Sequence, residues 1–309
     1  MQIGLVTDSL AHLPLETLMP TVAELGITMV EFGCGNWSSA PHLRLDAMLG
    51  SATMRTEFLA KLQSHDLTIS ALNCSGNPLL PGTSGEESRA VTSKTIHLAG
   101  LMGVRRVVMM SGCPGGPGDA NANWVTTAWP PEATRVLNQQ WSQQLIPYWH
   151  GLAKEAAAAG VERLCLELHG QQLVYNVRTL LRLRDAVGEL VCANLDPSHL
   201  FWMGADPLAA VPALGNAIGH VHAKDTRINT AVAAVNGLLD TTPVDLLADR
   251  AWSYVTLGRG HDASWWRGFT QSLRNAGYDG ALSIEHEDQS LSPLEGVSES
   301  VELLRETLS

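Results

Sequence analysis

The sequence predicts an α/β fold, a single closed (β/α)8 TIM barrel covering residues 1–309. Three observations predict it. Eight short apolar runs rich in β-branched residues recur along the chain, a longer stretch with helical spacing follows each run, and no linker-like segment divides the 309 residues. Strands that alternate with helices form a parallel sheet through right-handed crossovers, and eight such units at this length close into a barrel. An open doubly wound sheet is the competing arrangement. Its G-x-G-x-x-G fingerprint is missing after the first strand, where Thr7-Asp8-Ser9 stands instead.

The expected strands cover residues 3–9, 28–34, 68–75, 105–111, 163–169, 190–196, 219–225 and 280–287, each a brief apolar run and all but 163–169 containing Val, Ile or Thr. The expected helices cover 15–25, 52–65, 86–102, 131–159, 177–187, 207–214 and 263–276, with 295–307 closing the chain. Pro14 stands at the start of the first helix, and Gly26, Gly103, Gly160 and Gly277 stand where helices should stop. Two stretches are expected to be irregular insertions. Residues 112–131 (GCPGGPGDANANWVTTAWPP) follow the fourth strand, and residues 226–260 follow the seventh. In a barrel both lie at the C-terminal mouth, where loops form walls and lids.

Charge and composition narrow the function. The formal net charge is −11, and the 20 Lys and Arg form no basic run, which argues against a nucleic-acid partner. No apolar run reaches membrane-spanning length, and Met1-Gln2-Ile3-Gly4-Leu5 lacks the basic-then-apolar pattern of a leader, so a soluble cytoplasmic protein with no membrane partner is expected. Five cysteines (Cys34, Cys74, Cys113, Cys165, Cys192) include no C-x-x-C pair and are expected to pack as small reduced hydrophobes.

Residues able to bind metal recur at the strand ends. The fifth strand ends Cys165-Leu166-Glu167-Leu168-His169 and the sixth Asn194-Leu195-Asp196-Pro197-Ser198-His199. The seventh reads Gly219-His220-Val221-His222-Ala223-Lys224, and the eighth ends Ser283-Ile284-Glu285-His286-Glu287. With a two-residue period His220, His222 and Lys224 share one face. Barrel strand ends converge on one mouth, so Glu167, Asp196, His222 and Glu285 are expected at similar depth. Carboxylates gathered there repel unless a cation or protons neutralise them. One divalent metal is the economical answer, and three carboxylates with one imidazole suit Mn, Mg or Co without excluding Zn. A salt-bridged polar core using Lys224 and Arg163 is the alternative.

These residues, with Gly258-Arg259-Gly260 ahead of Trp265 and Gly277-Tyr278-Asp279-Gly280 before the last strand, resemble the xylose isomerase-like TIM-barrel superfamily. Its members include sugar phosphate isomerases and epimerases and inosose dehydratases. The resemblance implies one metal ion on Glu167, Asp196, His222 and Glu285 beneath a polyhydroxylated keto substrate. It also implies that Glu167 and Glu285 exchange a proton beside the carbonyl and that His199 contacts substrate hydroxyls. Two positions depart from the ketose-epimerase pattern: Leu173 replaces a second glutamate, and Ile228 replaces an arginine, with Arg227 one residue short.

His169 lies two residues past Glu167, ~6.6 Å along an extended strand, and an imidazole suits general-base work near neutrality. Glu-x-His at this position resembles members that act on 3-keto-glycosides by elimination. Lys224 is a candidate to stabilise an oxyanion or pair with a metal carboxylate. Trp37 is a candidate to stack on a sugar, and Arg227, His261 and Asn73 to line the substrate site, with Glu31 and Asn73 on a polar rim.

The expected function is a metal-dependent sugar or keto-sugar isomerase or epimerase, working through a metal-stabilised enediolate. A 3-keto-glycoside lyase or inosose-type dehydratase would share the proton abstraction and finish by β-elimination. A metal-dependent hydrolase of the apurinic-endonuclease type would enlist His42, His199, His220 and Glu31, against the acidic charge; a silent scaffold would have lost metal ligands. The expected partner is a small sugar, keto-sugar or cyclitol, and the absence of a glycine-rich phosphate cradle favours an unphosphorylated one. Homo-oligomerisation is left open.

Overall fold

A computed structural model describes residues 1–308. Eight parallel strands carry the predicted alternation: β1 (Gln2–Val6), β2 (Met29–Gly33), β3 (Thr68–Asn73), β4 (Arg106–Met109), β5 (Arg163–Glu167), β6 (Val191–Leu195), β7 (Ile218–Ala223) and, last in the chain, β10 (Ala281–Ile284). Their hydrogen-bonded order, β1-β10-β7-β6-β5-β4-β3-β2, closes on itself. This is the (β/α)8 barrel that the sequence predicts. Every predicted helix is present, and Gly103 and Gly160 end theirs at φ +69° and +82°, the left-handed conformation that glycine adopts without steric cost.

By internal contacts the chain groups into two compact units, residues 1–31, 61–70 and 195–309, and residues 32–60 and 71–194. In the first, β7, β10, β1 and β2 run side by side, with His222 opposite Ser283 and Ser283 opposite Gly4. A methyl group at Gly4 would stand 3.1 Å from Ser283 Oγ, so glycine leaves room for the polar side chains there. In the second, β3 to β6 pair in sequence, and Ala71, Val108, Cys165 and Cys192 pack as a buried cluster. All five cysteines are buried thiols, and burial pushes Cys74 and Cys113 up to about 12, which keeps them protonated and inert.

Several expected boundaries shift. The first strand stops at Val6, and Thr7–Leu10 forms a 3-10 turn. The fifth stops at Glu167 and the eighth at Ile284, so His169 and Glu285 sit beyond their strands. The helix expected over 131–159 runs through a π-turn, Gln140–Leu145, just before Pro147, whose missing N–H cannot close an ordinary turn.

The stretch 226–260 was expected to be irregular. It instead contributes to an antiparallel pair, β8 (Asp225–Ile228) with β9 (Trp252–Val255), and holds a helix, Thr230–Asn236. Trp252 stacks on Trp202 at 4.9 Å and 7°, and both rings are buried. Among the described residues no helix is long and apolar enough to cross a membrane.

Candidate functional site

In the first unit a buried polar cluster is built on β2, β7 and β10. Glu31 is fully buried, not a rim residue, because two imidazoles partner it. His220 Nε2 lies 2.7 Å from Glu31 Oε2 and 3.1 Å from Ser283 Oγ, and His222 Nε2 lies 3.1 Å from both Glu31 oxygens. Burial pushes the Glu31 carboxyl up, but His222 and His220 outweigh it and hold the group well below the usual carboxylate range. Glu31 is therefore ionised and can only accept, so each Nε2 carries a hydrogen.

That assignment turns His222 Nδ1 toward Glu285 Oε2, 3.2 Å away. Two acceptors at this distance need a proton or a cation between them. Asp196, His222 and Glu285 each bring a ligand atom within 4.8 Å of the other two. Asp196 Oδ1 is spent on capping the helix Pro197–Trp202 through the Ser198 N–H (2.8 Å), while its Oδ2 is buried without a hydrogen bond, 3.2 Å from His199 Nε2. One imidazole nitrogen and two carboxylate oxygens, one of them unsatisfied, fit a divalent cation.

Lys224 is 3 % exposed, with Nζ 3.1 Å from Glu285 Oε2 and 3.0 Å from Glu287 Oε2. Burial pulls its pKa down, but Glu285 and Glu287 raise it more, so the ammonium persists. Lys224 Nζ also lies 4.3 Å from the centre of the Tyr254 ring, and Tyr254 Oη is 2.9 Å from His199 Nδ1. Tyr254, carried by β9, is absent from the sequence-derived set. The alternation Trp252-Ser253-Tyr254-Val255 was the strand signal that could have found it.

In the second unit Glu167 is 4 % exposed, stands in register with Asn194 and accepts from Asn194 Nδ2 at 3.2 Å. The His169 N–H donates to the Glu167 carbonyl at 3.0 Å, which folds the chain into a tight turn in place of the expected extended step. His169 Nδ1 donates to the Gly170 carbonyl, which leaves the ring lone pair on Nε2. Trp37, 58 % exposed, lies 6.2 Å from His169 between ring centres. Asn73 Oδ1 accepts the Ser75 N–H and shapes its own loop. The stretch 112–131 is pinned through Cys113 to Asn77, through Gly112 to Gln172, and through Pro114 and Asn123 to Gln140.

Comparison with known proteins bears on this geometry. The profile of the xylose isomerase-like TIM barrel family matches residues 20–307. The chain belongs to that family. Its relatives include the uncharacterized protein YfiH of Bacillus subtilis (strain 168), 51 % identical over 312 residues and covering all of both chains. Among solved structures, the chain resembles the probable 3-DHS dehydratase AsbF of Bacillus anthracis (TM-score 0.70, 19 % identity, 99 % of each chain). It also resembles the IOLI protein with a bound zinc atom (TM-score 0.66, 17 % identity, 100 % of this chain and 98 % of that one). The solved neighbours include a dehydratase and epimerases.

Within this family member, two predicted substrate residues lie in particular surroundings. His261 Nδ1 pairs with Asp225 Oδ1 at 2.7 Å, and its ring stacks on Phe201 at 3.7 Å, so it braces the turn after β9. Arg227 is exposed opposite Ser253 and lines an outer groove with Arg250 and Trp252, apart from the buried cluster.

Proposed function

We propose that this protein is a divalent-metal-dependent isomerase or epimerase of a small sugar, keto-sugar or cyclitol. The observation that carries the proposal is the buried donor set: His222 held at Nε2 by Glu31, its Nδ1 facing Glu285, with the unsatisfied Asp196 Oδ2 nearby. Glu167 is assigned to the same set as the last residue of β5, in register with Asn194 two residues ahead of Asp196. These four residues would hold one Mn, Mg, Co or Zn ion. Bound there, the ion would polarise a substrate carbonyl and ease loss of the proton on the neighbouring carbon.

The protein's own groups then move the proton. Glu167 and Glu285 exchange it beside the carbonyl, one removing and the other returning it. His169, with its lone pair on Nε2, serves as a further base, and the Lys224 ammonium places positive charge where negative charge develops. His199 holds substrate oxygens, and Trp37 offers an exposed face to the apolar side of a sugar ring.

A second reading, elimination by a lyase or dehydratase, rests on one feature. Leu173, 1 % exposed, is a core residue where ketose epimerases resemble one another in carrying glutamate, and His169 supplies the only proton-transfer group between Glu167 and that position. Both readings share the first proton abstraction and part afterwards.

Metal analysis of protein purified without chelator, followed by incorporation of solvent deuterium into a panel of keto-sugars and cyclitols, tests the proposal. Stoichiometric metal in the wild type that is lost in Glu285→Gln supports it; metal-free wild type, or unchanged metal in the variant, refutes it. Deuterium in a rearranged product marks the isomerase, whereas release of water or an alcohol marks the lyase.

A further inference from the structure

We propose that the cavity between Trp37 and the helix Thr83–Met102 is a second sugar subsite, so that the protein takes a substrate of two linked sugar rings, one beside His169 and the other against Glu87. The inference rests on the reading of Trp37 as a sugar-stacking residue and names the substrate class of that site.

Trp37 is exposed on a backbone that is fixed. Its N–H donates to the Ser75 carbonyl at 3.0 Å, Asn36 Nδ2 donates to the Cys74 carbonyl at 2.7 Å, and the Cys34 N–H donates to the Asn73 carbonyl at 2.8 Å. Three hydrogen bonds thus zip the loop after β2 to the end of β3 and the turn beyond it. Asn36 holds a left-handed φ of +63°, which asparagine tolerates better than most residues. Gly76 leaves it room, since a Cβ there would stand 2.7 Å from Asn36 Cβ. An indole exposed on so rigid a turn can bind the apolar face of a sugar with little further ordering.

The cavity beside it measures about 310 Å³, at the small end of the range for small-molecule sites, which suits one ring. Its wall is polar and its polar groups are unspent. Asn36 Oδ1 accepts nothing from the protein, and Glu87, which is exposed, forms no ion pair among the described residues. Ser88, 7 % exposed, has a buried hydroxyl without a hydrogen-bond partner, a state that a ligand hydroxyl relieves. Ser84 adds a second hydroxyl to the wall. Asn77 is committed elsewhere: its amide holds both the N–H and the carbonyl of Cys113 and so fixes the cavity floor. Acceptors, hydroxyls and an indole face match a ring that carries several hydroxyl groups. No lysine or arginine lines the cavity among the described residues, and Glu87 would repel an anion, so the ring is uncharged. The same indole lies 6.2 Å from the His169 ring between centres, so one tryptophan serves the reacting ring and its neighbour.

The proton–nitrogen correlation signal of the Trp37 indole, assigned by its loss in Trp37→Phe, tests the proposal when sugars are titrated into the 15N-labelled protein. The probes are trehalose, sucrose, maltose, cellobiose and lactose, their component monosaccharides, glucose 1-phosphate and phenyl glucoside. At least one disaccharide should move the signal with a Kd about tenfold or more below that of either of its monosaccharides. In Glu87→Ala that advantage should fall below about threefold, with the melting temperature held. No disaccharide surpassing its monosaccharides, tighter binding of the phosphate or the phenyl probe than of every disaccharide, or an advantage intact in Glu87→Ala overturns the proposal. The wild-type titration alone decides the first two outcomes even if the variant folds poorly. Neither metal content nor turnover enters the measurement. Failure here leaves an isomerase of single-ring substrates, whereas failure of the metal and deuterium tests leaves the sugar subsite to stand or fall on its own titration.

Discussion

Glu31 holds His222 from inside the barrel: both carboxylate oxygens lie 3.1 Å from Nε2, so the imidazole presents Nδ1 to Glu285. A carboxylate that accepts the far N–H of a metal-binding histidine fixes its tautomer and raises its basicity. Glu31→Gln keeps the shape but offers one acceptor for two N–H groups. Its affinity for Zn or Mn, measured by calorimetric titration, should fall about 10- to 100-fold. Unchanged affinity would show that His222 needs no such support.

Lys224 is the cation of this cluster in the metal-free protein, and its pKa lies above the ordinary value. A raised pKa means that its stabilisation is complete below the unfolded value, near ~10.4, and is lost as pH climbs through the folded value. Lys224→Met should therefore lower the unfolding free energy by about 1.5–3 kcal/mol at pH 7. The gap from wild type should narrow above roughly pH 10.5. Urea unfolding at pH 7 and pH 11 checks the sign; a gap that widens at high pH would contradict it.

Asp225 is fully buried and accepts from the backbone N–H groups of Thr226, Gly258, Gly260 and His261 and from the His261 ring. The turn it gathers is tight enough that a Cβ at Gly260 would lie 2.4 Å from the Thr226 carbonyl oxygen. Asp225→Ala strands several buried donors and should cost about 3 kcal/mol or more. Hydrogen exchange should accelerate first at the amides of Gly258, Gly260 and His261, and uniform acceleration across the barrel would argue against a local role.

His169 is half-buried and braced by its own loop, so His169→Ala should fold normally. As a base it is expected to contribute roughly 10²- to 10⁴-fold to the rate of solvent exchange at the substrate carbon. Exchange at near wild-type rate in the variant would remove His169 from the proton pathway and leave Glu167 and Glu285 to carry it.

The barrel was legible because its signals are local. A run such as Leu164-Cys165-Leu166 between turn-rich borders reads as a buried strand, and Gly103 and Gly160 take the left-handed conformation that closes a helix. Asp196, His222 and Glu285 were legible together because the ends of parallel barrel strands share one mouth. Glu31 was misplaced on the rim, since nothing near Phe32 or Val30 announces two imidazoles from residues 220 and 222. Tyr254 was missed because its partners, His199 and Lys224, lie 55 and 30 positions away.

The sequence by itself determined the architecture, the strand-end donors and the reduced state of the cysteines, because period, capping and composition act over a few residues. The tertiary structure alone decided which donor serves which partner. Burial between distant strands makes Glu31 an anion held by two histidines, turns His222 Nδ1 outward, and brings Tyr254 to His199. Hydrogen-bond direction in a dry interior depends on neighbours that the chain order does not reveal.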